Sequence, residues 1–320
     1  MRTLKKFTHV NAKTVDEASA ALLKGKSAAM AGGTDLLGTM RFEILPSYPE
    51  VVVNLKSIPG LDYIKEEAGM LKIGALTRLE DIAKNATVQT KYTALAQAAH
   101  KTASPHIREM GTIGGNICQL NRCWYFRSPD NRFNCVRKGG DLCWATAGDN
   151  RYHSIFGGIK GCPAVNASDT APALVALNAK IKTNKRIIDA EQFWELGLPG
   201  STVLAAGEIV TEIQVPAPAA GVKSAFIKFA LRKSIDFPIV NCAAAVGGGG
   251  ARVCLNAVFV KPYRATKAED AIKGKAIDEA SAEAAGLAAI ADARALPSNR
   301  NKFKIPIAKA MVKRAILACA

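Results

Sequence analysis

A chain of 320 residues can bury two or three hydrophobic cores, and 49% hydrophobic with 22% charged residues excludes a disordered or fibrous protein. No run reaches the roughly 18 uninterrupted apolar residues of a membrane helix, and the polar start MRTLKKFTHVNAKTVDEA lacks the apolar core of a signal peptide, so a cytoplasmic protein without membrane contact is expected. The net charge of +16 is uneven, with 17 Lys/Arg against 7 Asp/Glu in residues 221–320; aromatics at 6% are too few for base-stacking platforms, so this face suits an acidic protein partner and not nucleic acid.

Residues 7–10 read as a strand and residues 14–23 as a helix opened by Thr14 with Glu17 three positions later. Residues 28–30 run into a glycine turn, Ala31-Gly32-Gly33-Thr34-Asp35. Strands are expected over 50–55, 62–66 and 70–73, the last two joined by a turn at 67–69. Helical spacing covers 79–83 and 92–99. Pro105 then ends a helix and releases the chain into a second glycine turn, Gly111-Thr112-Ile113-Gly114-Gly115-Asn116. Two such turns can bring backbone N–H groups to the two phosphates of one dinucleotide, although either alone is compatible with an ordinary tight turn.

Residues 170–179 form a buried helix or strand, 180–185 and 186–190 paired strands, 191–196 a helical turn and 207–216 a strand. The linker Pro-Ala-Pro-Ala-Ala-Gly marks a domain boundary near 220. Beyond it, strands over 224–232, 239–246 and 252–260 predict a three-stranded antiparallel sheet, covered by helices over 265–272, 278–293 and 305–317.

Five of the eight cysteines crowd one window, spaced Cys118-x4-Cys123-x11-Cys135-x7-Cys143-x18-Cys162. In a reducing compartment such a cluster reads as metal-binding before disulfide-forming. No pair has the C-x2-C spacing of a zinc ribbon or ferredoxin run, which leaves an iron–sulfur cluster held by a long loop, with an irregular structural zinc site as the alternative. Cys118, three residues after Gly115, reads as core packing, and His153 could replace one cysteine as a ligand. Cys242, Cys254 and Cys319 lie singly in apolar surroundings.

The segments AGGTDLL (31–37), TIGGN (112–116), SDTAPALVAL (168–177), GEIVTEIQVP (207–216), the Lys228/Arg232/Asp236 stretch and KPYRATKAE (261–269) together resemble the FAD-binding medium subunit of the molybdenum hydroxylase (xanthine dehydrogenase) family. The cysteine insertion between the second and third resembles that of the 4-hydroxybenzoyl-CoA reductase β subunit, with its additional [4Fe-4S] cluster, although Cys143 and Cys162 are farther apart here. The resemblance implies an α+β fold: a vanillyl-alcohol-oxidase (PCMH) type FAD-binding domain of two α/β lobes over 1–220, interrupted by an iron–sulfur loop at about 119–165. A CO-dehydrogenase-flavoprotein-like domain follows over 221–320. It implies FAD pyrophosphate against Ala29, Met30, Ala31, Gly32, Gly33, Thr34, Asp35 and Leu36 and against Met110, Gly111, Thr112, Ile113, Gly114 and Gly115. Thr102, Asp169 and Lys228 are implied as further flavin contacts, Lys228 near the isoalloxazine as a cation favouring reduced flavin. Cys123, Cys135, Cys143 and Cys162 are the implied cluster ligands.

On that resemblance the chain passes electrons between a ferredoxin-like donor, [4Fe-4S], FAD and the [2Fe-2S] centres of a small subunit, for reduction of 4-hydroxybenzoyl-CoA on a molybdopterin-binding large subunit. No catalytic acid or base is expected in this chain. One alternative is a subunit of a hydroxylase of purines or other N-heterocycles; another is a metal-stabilised binding protein without redox chemistry.

Overall fold

The computed structural model describes residues 3–194, 201–232 and 235–320, and three sheets organise them. In the first lobe β1 (Thr8–Asn11), α1 (Val15–Leu22), β2 (Ser27–Met30), α2 (Leu36–Arg41) and β3 (Val51–Asn54) follow in order, and the strands form a parallel sheet β1-β3-β2. Thr14 caps α1 by accepting the Glu17 N–H, while the Glu17 carboxylate takes the Lys13 N–H. Because β2 ends at Met30, the glycine turn opens at the carboxyl end of a parallel strand, where open α/β sheets receive ligands.

The second lobe starts with a hairpin of β4 (Ile64–Glu67) and β5 (Met70–Gly74), turned by Ala68 and Gly69 at positive φ. Helices α3 (Leu79–Lys84), α4 (Ala86–Lys91), α5 (Thr93–His100), α6 (Pro105–Arg108), α7 (Ile113–Ile117), α8 (Trp144–Ala147) and α9 (Thr170–Ala176) come next. Then β6 (Lys180–Thr183), β7 (Ile187–Asp189), α10 (Ala190–Phe193) and β8 (Val210–Pro216) complete a five-stranded sheet in the order β4-β5-β8-β6-β7. Its buried face carries Leu71, Ile73, Ile181, Ile213 and Val215, which share a core with Leu95 and Leu174. The buried Trp194 indole donates to the Ile117 carbonyl at 3.0 Å and fixes the end of α7.

After the linker come β9 (Lys223–Phe229), β10 (Val240–Gly247), β11 (Gly250–Asn256), β12 (Tyr263–Arg264), α11 (Thr266–Ile272), α12 (Glu279–Ala289) and α13 (Lys304–Leu317). One face of this antiparallel sheet, through Ala244, Val246, Val253 and Leu255, meets Ala308, Met311, Val312 and Ala315 of α13. Its other face contributes Phe226, Ala243 and Cys254 to the core of the second lobe. Both faces are thus apolar, which explains why Ala243 and Ala244, adjacent in sequence, are both fully buried.

Four local expectations change. The small sheet has four strands, since Tyr263 and Arg264 pair with Leu255 and Cys254. Pro105 begins a helix instead of ending one: it occupies the first turn of α6, where its missing N–H costs nothing, behind the Ser104 cap. TIGGN is not an open turn but the start of α7, with the Thr112 hydroxyl accepting the Gly115 N–H at 3.1 Å. Residues 86–91 form a helix that the weak periodicity of ATVQTK does not announce. Residues 195–196 of the expected helical turn, and 233–234 between β9 and β10, lie outside the described residues.

The C-terminal basic run is partly spent inside the domain. Lys309 and Lys313 pair with Glu283 across α12 and α13. Lys304 is fully buried, and burial pushes its ammonium down to about 7. It donates to the carbonyls of Tyr152 at 3.3 Å, His153 at 3.0 Å and Ala257, while Asn301 donates to Ser154 O at 2.7 Å, so the start of α13 clasps the returning limb of the cysteine loop.

Lys304→Met leaves buried carbonyls unpaired, and a loss of about 2–4 kcal/mol is expected, read as a lowered midpoint in thermal or denaturant unfolding. Glu208 supplies a pH signature. Burial raises its carboxyl, but Arg186, the Ala205 N–H and the Thr183 hydroxyl outweigh burial and hold it at about 2, below the ordinary 4.5. A depressed folded value stabilises above the unfolded value, and the gain is lost as pH falls between them. The midpoint difference between the parent protein and Glu208→Gln is therefore expected to be full above pH 4.5 and to close towards pH 2.

Candidate functional site

The two glycine turns meet backbone to backbone. A Cβ added at Gly32 would lie 2.0 Å from the Met110 carbonyl oxygen, so only glycine permits this approach. Where the turns meet, a cleft of about 710 Å³ opens, within the size range of cofactor sites. Ala29, Met30, Ala31, Gly32, Gly33, Thr34, Asp35 and Leu36 line one wall, and Gly111, Thr112 and Gly115 another; Thr102 and Asp169 also face it. Met110, Ile113, Gly114 and Lys228 do not line it. Met110 offers its backbone to Gly32, Ile113 is buried in the core, and Gly114 packs where a Cβ would lie 2.8 Å from Ala75 O.

Lys228 instead donates to the Asp169 carboxylate at 2.7 Å and to the Lys101 carbonyl at 2.9 Å. Asn241, paired with Lys228 across β9 and β10, donates to the other Asp169 oxygen at 2.7 Å. Burial pushes the Asp169 carboxyl up, against the pull of Lys228 and Asn241. The two charged positions assigned separately to the flavin thus form one buried pair, with Asp169 the member facing the cleft.

Asp35 ties this cleft to the cysteine loop. Its carboxylate pairs with Arg122 at 2.9 Å and Arg127 at 2.6 Å and accepts the Leu120 N–H at 3.0 Å. Burial and the neighbouring Arg127 push Arg122 down to about 10, while Asp35 favours its charged form. Arg122 also lies 4.6 Å above the Phe237 ring, and both line the cleft. Cys118 packs against the core, as expected, and also lines the cleft, and burial pushes its thiol up to about 12. Arg122 and Phe237 were missed because neither belongs to a glycine motif; the adjacency of Arg122 to Cys123 was the available signal.

Residues 119–167 hold only single turns, at Pro129–Asn131, Val136–Lys138 and α8. They bring Cys123, Cys135, Cys143 and Cys162 to the walls of one narrow cavity, together with His153. His153 Nε2 lies 3.3 Å from Cys123 Sγ, and Arg137 Nε donates to Cys162 Sγ at 3.4 Å. Backbone N–H groups of Phe126 and Tyr125 also point at Cys123, whose thiol burial pushes up to about 12. The buried Lys138 ammonium has no hydrogen-bond partner, and burial pushes it down against the opposing pull of Cys135 and Cys123. Among the described residues no three His, Cys, Asp or Glu side chains are already placed around a single ion position.

The description "FAD binding domain in molybdopterin dehydrogenase" matches residues 5–218, and "CO dehydrogenase flavoprotein C-terminal domain" matches 225–319. The chain belongs to this family of FAD-binding subunits. The subunit is 33% identical to the aldehyde oxidoreductase FAD-binding subunit PaoB of Escherichia coli over 96% of both chains. It is 29% identical to the carbon monoxide dehydrogenase medium chain of Hydrogenophaga pseudoflava over 98% of this chain and 96% of that one. A solved carbon monoxide dehydrogenase structure from the same organism, lacking the Mo-pyranopterin moiety, superposes with a TM-score of 0.77, covering 99% of this chain and 98% of that one at 28% identity.

The subunit is thus an oxidoreductase component of the molybdenum hydroxylase type, and the cleft fits its FAD: glycine backbone, matching volume, and an acid already neutralised by two guanidinium groups. Among the described residues no helix is long and apolar enough to cross a membrane. Gly32→Ala must part the two turns; retained FAD after desalting is expected to fall by at least about tenfold, roughly 1.4 kcal/mol, measured from flavin absorbance per protein.

Proposed function

We propose that this FAD subunit also carries a [4Fe-4S] cluster on Cys123, Cys135, Cys143 and Cys162 and relays electrons between molybdopterin and [2Fe-2S] partner subunits and an external protein in the cytoplasm. The observation that carries the reading is the convergence of four cysteines, distant in sequence, on one cavity. Arg137 and the Tyr125 and Phe126 N–H groups supply the donors that cluster sulfurs accept and that tune a cluster's potential. Lys138 would balance thiolate charge.

FAD, when bound, supplies storage of two electrons with exchange one at a time. The chain's own residues hold it. The turn at 29–36 and, opposite it, Gly111, Thr112 and Gly115 would receive the pyrophosphate, Asp35 keeps Arg122 at the cleft wall, and Asp169 would face the cofactor while Lys228 and Asn241 hold its carboxylate in place. Thr102 offers its backbone. No catalytic acid or base for the substrate is required in this chain, since the substrate reacts on another subunit.

We favour outward electron flow from substrate oxidation. The relatives are named for aldehyde, carbon monoxide and nicotinate oxidation, the last the nicotinate dehydrogenase FAD-subunit of Eubacterium barkeri, 30% identical over 78% of this chain and 72% of that one. Aldehydes and N-heterocycles are the preferred substrate classes. The four-cysteine cavity favours a second reading, a 4-hydroxybenzoyl-CoA reductase fed by a ferredoxin-like donor.

Iron analysis and the visible spectrum test the cofactors: Cys123→Ser and Cys135→Ser are expected to lose cluster iron while flavin content stays unchanged, and full iron in both would defeat the ligand assignment. Turnover separates the directions. The assembled complex is expected to oxidise an aldehyde or N-heterocycle with an artificial acceptor, whereas reduction of 4-hydroxybenzoyl-CoA with a low-potential donor, without such oxidation, would establish the second reading.

A further inference from the structure

One nitrogen–sulfur contact joins the two limbs of the cysteine loop. Cys123 lies on the entering limb and His153 on the returning one, and His153 Nε2 sits 3.3 Å from Cys123 Sγ. Both residues line the cavity that Cys135, Cys143 and Cys162 share with them. His153 is only 5% exposed and its Nδ1 has no hydrogen-bond partner, so among the described residues the sulfur is the one polar contact of the ring.

Main-chain bonds fix both ends of this contact. The Cys123 N–H donates to Asn121 Oδ1 at 3.1 Å, and the Cys123 carbonyl accepts the Arg127 N–H at 2.9 Å. On the other limb the His153 N–H donates to the Asn150 carbonyl at 2.9 Å, and the His153 carbonyl accepts the Lys304 ammonium at 3.0 Å. The backbone therefore delivers the ring to the sulfur, and neither limb depends on the imidazole for its place.

The chemistry of a ligating cysteine sets the direction of the bond. A thiolate bound to iron has no proton to give, so sulfur accepts and Nε2 carries the hydrogen. A ring nitrogen used in this way is not available to iron, and four cysteines already supply one ligand for each iron of a [4Fe-4S] cluster. An N–H aimed at a ligand sulfur favours the reduced cluster, which carries one more negative charge.

We propose that His153 is not a cluster ligand but hydrogen-bonds the ligand Cys123 and thereby raises the reduction potential of the cluster. The proposal rests on the cluster reading given above. The proton stays on Nε2 in both oxidation states, so one electron is gained or lost and nothing else moves.

Electron–nuclear double resonance on the reduced parent complex, prepared with histidine carrying the heavy nitrogen isotope, reads the contact directly. A weak coupling from a histidine nitrogen is expected; the strong coupling of an iron-bound imidazole, or no coupling, would overturn the proposal. This spectrum decides even where a variant does not assemble. A redox titration of the complex followed by electron paramagnetic resonance reads the effect. In His153→Leu the midpoint potential is expected to fall by about 59 mV, the one-electron equivalent of a tenfold change in equilibrium constant, with iron and flavin contents at the parent level. His153→Gln, which returns an N–H donor, is expected to recover much of that shift. An unchanged potential in His153→Leu, an equal fall in both variants, or iron lost from both while flavin stays would each overturn the assignment. A parent complex without cluster iron would instead defeat the reading beneath it.

Discussion

The carboxylate of Asp35 joins the parts on which the rest of the site depends. It closes the first glycine turn, and it receives Arg122, Arg127 and the Leu120 N–H from the chain that leads to the cysteines. A partly buried acid between two guanidinium groups is held by charge from both sides, and removing it would leave two cations facing each other inside the protein. The turn and the loop consequently share one position. Whatever displaces the loop entrance also disturbs a wall of the cofactor cleft.

The same economy appears at Asp169. Its neighbours come from β9 and β10 of the C-terminal sheet, while Asp169 itself precedes α9 of the second lobe. The buried pair therefore spans the junction between the two parts of the chain and orients one carboxylate towards the cleft. Pairing also leaves less free positive charge on Lys228 than an isolated lysine would offer. Arg122, stacked on Phe237 in the cleft wall, is a better-placed source of cationic influence on a bound cofactor.

Much of this was legible in sequence because it rested on local rules. The Thr14 cap, the Ala68-Gly69 hairpin and the alternation of β8 are decided by neighbouring residues, and the glycine turns reveal themselves by composition. What failed depended on distant partners. Pro105 reads as a stop until Ser104 is seen to cap α6, and the short TIGGN helix is held from outside by Trp194. The pairing of Asp169 with Lys228 cannot be read from two positions on different elements. Nor does anything near Cys118 show that this core-packed residue also borders a cleft, since a half-buried cysteine at a helix end looks the same in either setting.

The clasp of Lys304 and Asn301 on residues 152–154 has a consequence for how the cysteine cavity closes. The entrance of the cysteine loop is anchored by Asp35, which precedes it in sequence, but its return limb is held by Asn301 and Lys304, which follow it at a distance of about 150 residues. Beside its bonds to Pro163 and Val258, the limb carrying His153 gains the seat that Lys304 and Asn301 provide once α13 docks. Closure of the cysteine cavity is thereby tied to docking of α13, so loosening that helix would leave the glycine turns in place and the thiols unassembled.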